Sequence, residues 1–204
     1  MISYKHRFIF IHIPKNAGTS IRRALRPHLR NGWHKIRDEL GRPFGSMPYH
    51  YKGQPAHLKA HEYEALLGRA RFQDFRKFAV VRNPWDWHVS LFAYMQQTPQ
   101  HFQHDIVKGF DFKDYVQWRC DEDPTSQLPY LADSSEQKIE ASIAHFETLS
   151  NDFNAIMAEF GITARLPHRN KSDHKPYREY YDDRTIDMIA ALSKDDIAAF
   201  GYSF

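Results

Sequence analysis

A strand, a short loop and a helix are predicted to follow one another within a single segment, FIFIHIPKNAGTSIRRAL, residues 8–25. The apolar run from Phe8 to Ile13 is typical of a buried strand, and Pro14 ends it. Thr19 and Ser20 then stand where a helix N-cap is expected, and apolar residues recur after them at helical spacing. The chain is therefore expected to contain a strand, loop and helix unit of the kind that builds α/β proteins.

The loop of this unit concentrates groups that suit an anion. Backbone amides and the positive end of a helix dipole meet the ammonium of Lys15 and the hydroxyls of Thr19 and Ser20. The alternative is an ordinary strand-to-helix turn, in which Gly18 supplies backbone freedom and Lys15 is merely solvated. The order of lysine, glycine and two hydroxyls favours a phosphate or sulfate site.

A second strand-to-helix junction carries an arginine. The run from Phe78 to Val81 predicts a buried strand, Arg82 follows it, and a helix is predicted from Pro84 to about Gln97, with Ser90 about two turns into it. If the two predicted strands are parallel neighbours, Lys15 and Arg82 lie at the same edge of the sheet, where open α/β sheets bind ligands. Arginine suits bidentate binding of a terminal phosphate.

Composition limits the protein class. The 204 residues are 42% hydrophobic and 15% aromatic, which favours one folded domain over residues 1–204. The net charge of +3 is too small to indicate a nucleic-acid partner. Cys120 is the single cysteine, which excludes an internal disulfide and a cysteine-based zinc site and favours a reducing compartment. The N-terminal apolar run is too short to span a bilayer, so we expect a cytoplasmic protein, with peripheral membrane contact left open.

Strands and helices are predicted to alternate along the rest of the chain. The segment from Arg26 to Pro55, rich in Gly and Pro, is expected to be a long loop that either forms one side of a ligand-binding cleft or is a disordered insertion. The other predicted elements are a helix at 56–68, a helix near 112–119, a short strand beginning at Tyr130 and Leu131, a strand within 139–146, a helix at 149–160 and a helix through Ile186, Ile189 and Leu192.

The first loop, HIPKNAGTS, differs from the P-loop of nucleotide hydrolases because its lysine precedes the glycine. It resembles the 5′-phosphosulfate loop of the sulfotransferases that use 3′-phosphoadenosine-5′-phosphosulfate (PAPS), in particular the carbohydrate branch with heparan 2-O and chondroitin-type enzymes. The residues that match the HIPKxAGTS pattern of this branch are His12, Ile13, Pro14, Lys15, Ala17, Gly18, Thr19 and Ser20.

Other segments extend the resemblance over nearly the whole chain. The run KFAVVRNPWDWHVSLF, residues 77–92, is similar to the 3′-phosphate motif of these enzymes, and Arg82 and Ser90 keep its spacing. Three further segments show weaker similarity. HLKAHE, which begins at His57, resembles an HxxAxE segment of the family, and NKS followed by YREYYD resembles its C-terminal loop. FETL at 146–149 resembles an RFExL element, with His145 in place of the arginine. The weakest matches are the segments expected to face the acceptor.

The resemblance implies a P-loop-like three-layer α/β fold with a central parallel sheet flanked by helices. It implies transfer of a sulfuryl group from PAPS to a hydroxyl of a carbohydrate or other acceptor, with no metal required. His57 would be the base, with His61 as the alternative, and Lys15 would stabilise the departing nucleotide. The residues implied to bind the donor are Lys15, Asn16, Ala17, Gly18, Thr19, Ser20, Arg82, Ser90, Lys171 and Ser172.

Two other functions are weighed against this one. A P-loop nucleotide kinase would need magnesium, and the order of Lys15 and Gly18 counts against it. A non-catalytic nucleotide-binding module would keep the cleft without turnover. His101 and His104 have the spacing of a metal-binding pair, but no set of carboxylates and histidines completes such a site.

Overall fold

The computed structural model describes residues 1–29, 57–167 and 175–204. Its strands are β1 (Ile2–Ser3), β2 (Phe8–Ile11), β3 (Arg76–Val81) and β4 (Ser142–His145). They form one four-stranded sheet in the order β1-β2-β3-β4. β1 pairs with β2 in antiparallel fashion, whereas β2 with β3 and β3 with β4 are parallel. This mostly parallel sheet, flanked by helices, confirms the predicted α/β fold.

The register of the parallel strands aligns their carboxyl ends. Ile11, the last residue of β2, pairs with Ala79 of β3, and Val81 at the end of β3 pairs with His145 at the end of β4. The segments that follow these strands therefore leave the sheet at one edge, which is the ligand-binding edge of open α/β sheets.

The helices of the described residues differ in part from the predicted ones. They are α1 (Gly18–Leu25), α2 (Ala60–Leu67), α3 (Arg69–Asp74), α4 (Pro84–Gln97), α5 (His104–Val107), α6 (Phe112–Asp121), α7 (Leu149–Glu159), α8 (Asp183–Leu192) and α9 (Lys194–Phe200). Short 3₁₀ turns cover Arg26–His28, Leu128–Leu131, Phe146–Thr148 and Tyr177–Tyr180.

Chain contacts divide the protein into two compact units. Unit 1 comprises Met1–Val81 and Pro129–Arg169 and holds the sheet. Its core joins one face of the sheet to α1 and α7, through Phe8, Phe10, Ile21, Leu25, Phe78, Val80, Ala144, Phe153, Ile156 and Met157. The opposite face of the two central strands is also buried, which explains why β2 and β3 read as continuous apolar runs rather than as alternating ones.

Unit 2 comprises Arg82–Leu128 and Asn170–Phe204 and is helical. Polar contacts with backbone carbonyls hold its N-terminal helix α4 in place. Trp85 Nε1 donates to the carbonyl of Ile186 at 3.1 Å, and the hydroxyl of Tyr181 donates to the carbonyl of Trp85 at 2.9 Å. The start of α4 is thereby tied to the C-terminal part of the chain.

Several predicted elements are confirmed and others are wrong. The helix from Pro84 ends at Gln97 as predicted. Tyr130 and Leu131 belong to a 3₁₀ turn and not to a strand. The helix predicted at 56–68 begins only at Ala60, and α3 directly follows it, because Gly68 at φ 77° ends one helix and precedes the next. Except for residues 26–29, the loop from Arg26 to Pro55 lies outside the described residues.

Candidate functional site

The loop between β2 and α1 holds two L-residues in the left-handed region of backbone conformation. Lys15 has φ 63° and Ala17 has φ 55°. Such conformations cost free energy for residues with a Cβ, and they are concentrated at binding and catalytic sites. The loop thus has backbone strain of the kind that is concentrated at functional sites.

Helix α1 begins differently from the prediction. Its N-cap is Ala17, which has a left-handed conformation, and no side chain of the described residues caps the helix. Thr19 and Ser20 lie within the first turn and do not occupy the N-cap, so that prediction is wrong. The side chain of Thr19 is exposed and that of Ser20 is partly buried. The first-turn amides of α1 thus have no side-chain cap among the described residues, which is compatible with an anion at this end of the helix.

Gly18 is required for a reason other than backbone freedom. Its φ is not positive, but the ring of His12 lies against its Cα, and a Cβ at this position would come within 1.6 Å of His12 Nε2. The ring of His12 also stacks on Phe10, with centroids 5.6 Å apart. Glycine therefore permits the start of α1 to approach the end of β2 closely.

The side chain of Asn16 anchors the loop. It is buried, and its Nδ2 donates to the carbonyl of Val80 in β3 at 2.8 Å. The loop after β2 is thereby tied to the neighbouring parallel strand near its carboxyl end.

His57 lies beside this loop. Its Nδ1 is 3.0 Å from the carbonyl oxygen of His12, and the two imidazole rings have centroids 4.2 Å apart. Because a carbonyl only accepts, Nδ1 carries the proton, and Nε2 of the neutral ring carries the lone pair. Burial lowers the pKa of His57 from 6.5; the hydrogen bond to His12 raises it, and the charge of Arg22 lowers it. This lowered pKa favours the neutral imidazole of His57 at physiological pH.

The alternative base, His61, has a different setting. It lies in the first turn of α2, and its backbone amide donates to the carbonyl of Ala132 at 3.1 Å. His57 precedes α2 in a turn. The predicted helix at 56–68 contained both histidines, but in the structure only His61 is helical.

In unit 2, Arg82 is buried to 3% exposure, directly after β3. Its Nε donates to Oδ2 of Asp86 at 2.7 Å. Asn83 caps α4 by accepting from the amide of Trp85 at 3.1 Å, and Pro84 opens the helix. The ion pair with Asp86 fixes the orientation of the guanidinium group.

Ser90 is buried on α4 at 2% exposure. It follows Asp86 by one helical turn, so the two residues share one face of the helix. Asp86 was assigned no role from the sequence, although its spacing of four residues from Arg82 is a signal for an ion pair. Lys171 and Ser172 lie outside the described residues.

His101 and His104 each use Nδ1 in a hydrogen bond with the backbone. The amide of Gln103 donates to Nδ1 of His101 at 3.1 Å, and Nδ1 of His104 donates to the carbonyl of Met95 at 2.9 Å. Among the described residues, no group of three or more His, Cys, Asp or Glu side chains is arranged to hold a metal ion.

Comparison with known proteins decides the family. The sequence matches the family described as "Sulfotransferase family" over residues 1–203. The chain belongs to the sulfotransferase family. This membership confirms the predicted enzyme class, a PAPS-dependent sulfotransferase with PAPS as co-substrate. No curated protein matches this sulfotransferase.

A solved structure also resembles this sulfotransferase. It is mouse sulfotransferase SULT7A1 complexed with PAP, which has 18% sequence identity and a TM-score of 0.47, and the match covers 96% of this chain and 67% of that chain. In the described parts of this sulfotransferase, no helix is long and apolar enough to cross a membrane.

Proposed function

We propose that this sulfotransferase moves the sulfuryl group of PAPS in line to a hydroxyl of a carbohydrate or glycan, with His57 as the base. The observation that carries the proposal is the 3.0 Å contact between Nδ1 of His57 and the carbonyl of His12. Through this contact a neutral imidazole lies next to His12, where the Lys15 loop begins. The contact also selects the tautomer whose Nε2 accepts a proton.

Each chemical need of the reaction has a residue in unit 1. The acceptor oxygen attacks sulfur, the bond from sulfur to the bridging oxygen breaks, and adenosine 3′,5′-bisphosphate departs. His57 Nε2 takes the proton of the attacking hydroxyl as the new bond forms. Lys15 stabilises the negative charge that grows on the bridging oxygen, so no metal ion is invoked.

The donor is bound through its two charged ends. The amides from Asn16 to Ser20, with the hydroxyls of Thr19 and Ser20, bind the 5′-phosphosulfate, supported by the uncapped start of α1. Arg82 and Ser90 bind the 3′-phosphate, supported by the orientation of the guanidinium and by the shared helix face of Asp86 and Ser90. Lys171 and Ser172 complete the nucleotide site in this proposal.

The proposals for the acceptor class, the domain organisation and the cellular location are based on the sequence. The resemblance to the carbohydrate branch and the aromatic, basic loop from Arg26 to Pro55 support a sugar acceptor. We propose a single sulfotransferase domain over residues 1–204, since the family match spans residues 1–203. The single cysteine supports a cytoplasmic location.

Nucleotide binding tests the donor assignment. Calorimetric titration compares adenosine 3′,5′-bisphosphate with ATP, each with and without magnesium. We expect tight binding of the bisphosphate that does not depend on magnesium. Preferential binding of magnesium-ATP would instead favour a kinase and overturn the proposal.

Turnover tests the base and the acceptor. With radiolabelled PAPS and a panel of glycans and small alcohols, the wild-type protein is expected to label a glycan. His57→Ala should keep bisphosphate affinity and lower kcat by about 10²–10⁴-fold, because only proton transfer is lost. His61→Ala is the matched control. A normal kcat in His57→Ala with a large loss in His61→Ala would move the base to His61.

A further inference from the structure

Gln127 holds the backbone of Arg82 on both sides. Its Oε1 accepts from the Arg82 amide at 2.9 Å, and its Nε2 donates to the Arg82 carbonyl at 2.7 Å. The Gln127 side chain has 0% exposure. One amide side chain therefore makes, at the residue after β3, the pair of hydrogen bonds that a neighbouring strand makes within a sheet.

Asp196 holds Gln127 in turn. The two carboxylate oxygens of Asp196 accept from the amide of Gln127 and from the amide of Leu128, each at 2.7 Å. Asp196 has 0% exposure and lies in the first turn of α9, where the helix dipole favours a negative charge. Burial raises the pKa of Asp196, while its hydrogen bonds to the two amides lower it. The carboxylate thus has fixed partners for both oxygens.

We propose that Asp196 and Gln127 form a positioning relay that sets the direction of the Arg82 side chain and thereby the selectivity for a 3′-phosphorylated nucleotide. The inference rests on the proposed function, in which Arg82 binds the 3′-phosphate. The relay fixes the backbone orientation of Arg82. Asp86, which accepts from Nε of Arg82, fixes the orientation of the guanidinium group. Neither Gln127 nor Asp196 touches the nucleotide in this proposal.

The physical reason is that bidentate contact tolerates little misplacement. A long side chain turns with the φ and ψ of its own residue, so a rotated peptide at Arg82 displaces the guanidinium by more than it displaces the backbone. Displacement by about 1 Å is enough to lose a directed contact between arginine and phosphate. A relay that fixes the peptide on both sides prevents this displacement before the nucleotide arrives.

Gln127→Glu is the sharpest variant. It keeps the shape of the side chain and the acceptor for the Arg82 amide, but it sets a carboxylate oxygen against the Arg82 carbonyl, where a donor is needed. Gln100→Glu, at an exposed position, introduces the same charge change and serves as the control. Asp196→Asn is the second relay variant, with its exposed neighbour Asp195→Asn as the matched control.

The measurement is the ratio of affinities for adenosine 3′,5′-bisphosphate and adenosine 5′-phosphate, by calorimetry, with thermal melting in parallel. We expect Gln127→Glu to reduce this ratio by about tenfold or more while its affinity for the 5′-phosphate stays within about twofold of wild type. Asp196→Asn should reduce the ratio less, because one oxygen still accepts. Both control variants should keep the wild-type ratio.

Two outcomes would overturn the relay. In the first, the relay variants melt at a lower temperature but keep the wild-type ratio. In the second, both nucleotides lose affinity equally, which would assign Gln127 and Asp196 to general support of the fold. A wild-type protein that binds the two nucleotides equally would instead overturn the proposed role of Arg82, so failure of the relay and failure of the proposed function give different results.

Discussion

The imidazole of His12 lies against the Cα of Gly18, so closely that a Cβ at Gly18 would come within 1.6 Å of Nε2. The backbone carbonyl oxygen of His12 accepts a hydrogen bond from Nδ1 of His57. His12 thus links three parts of the candidate site, namely the end of β2, the start of α1 and the proposed base. The ring and the backbone carbonyl of His12 therefore contact both the start of α1 and the proposed base.

Gly18→Ala is expected to destabilise the protein by about 1–3 kcal/mol and to weaken bisphosphate binding, because the added methyl group displaces the His12 ring. Urea unfolding and calorimetric titration measure the two effects. Gly109→Ala is the control, since a Cβ there would meet nothing within 4 Å. Equal behaviour of the two variants would contradict the close packing of His12 on Gly18.

Lys15→Asn separates the charge of Lys15 from its backbone conformation. Asparagine tolerates the left-handed conformation that Lys15 adopts at φ 63°, so the loop should keep its shape. We expect kcat to fall by about 10²–10³-fold, the usual cost of removing a group that stabilises transition-state charge. Single-turnover kinetics with labelled PAPS measure this step. A change in KM for PAPS with kcat unaltered would show that Lys15 only binds the donor.

The pH dependence of turnover should report the pKa of His57. Since burial lowers this pKa from 6.5, the free base is retained into mildly acidic solution. The acid limb of kcat/KM is therefore expected to have its midpoint below pH 6.5 and to reach a plateau by neutral pH.

Arg22→Gln should move that midpoint to higher pH, because the charge of Arg22 contributes to lowering the pKa of His57. Arg23→Gln, on the exposed side of α1, removes the same charge and should leave the midpoint unchanged. Rate profiles from pH 5 to 8 in the two variants make the comparison. An equal displacement of both profiles would point to net charge and not to a local effect on His57.

Acid stability should depend on His88, which is fully buried in unit 2. Its Nδ1 lies 3.1 Å from the hydroxyl of Tyr115, and its Nε2 meets no polar partner among the described residues. Burial, followed by the charge of Arg119, lowers the pKa of His88 to about 3. Between the unfolded pKa of 6.5 and this folded value, only the unfolded state binds the proton, so stability falls as the pH falls.

His88→Phe removes this titration. In urea unfolding between pH 7 and 5, the wild-type free energy of unfolding should fall more steeply below pH 6.5 than that of the variant, by up to about 1.4 kcal/mol per pH unit. The variant also loses the contact with Tyr115. This loss lowers its free energy of unfolding by the same amount at every pH and does not alter the pH dependence. Parallel curves for the two proteins would show that His88 does not control acid stability.

Local sequence pattern was enough to predict much of the fold, and it supplied the candidate site residues, which stay a prediction. The strand before Lys15, the helix from Pro84 to Gln97 and the spacing of Arg82 and Ser90 follow from residues adjacent in sequence or one or two helical turns apart. The cap of α1 was predicted wrongly, because hydroxyl residues near a helix start also occur within its first turn. The left-handed conformation of Ala17 could not be read from its side chain.

The sequence by itself determined the α/β class, and it predicted an anion site in the Lys15 loop and an arginine after a second buried strand. Only the tertiary structure decided that Gly18 makes room for His12, that His57 meets the His12 carbonyl across 45 residues, and that Asp196 reaches Gln127 across 69 residues. The physical reason is that periodicity and capping are local, whereas a hydrogen bond between distant residues exists only once the folded chain has brought them to the same place.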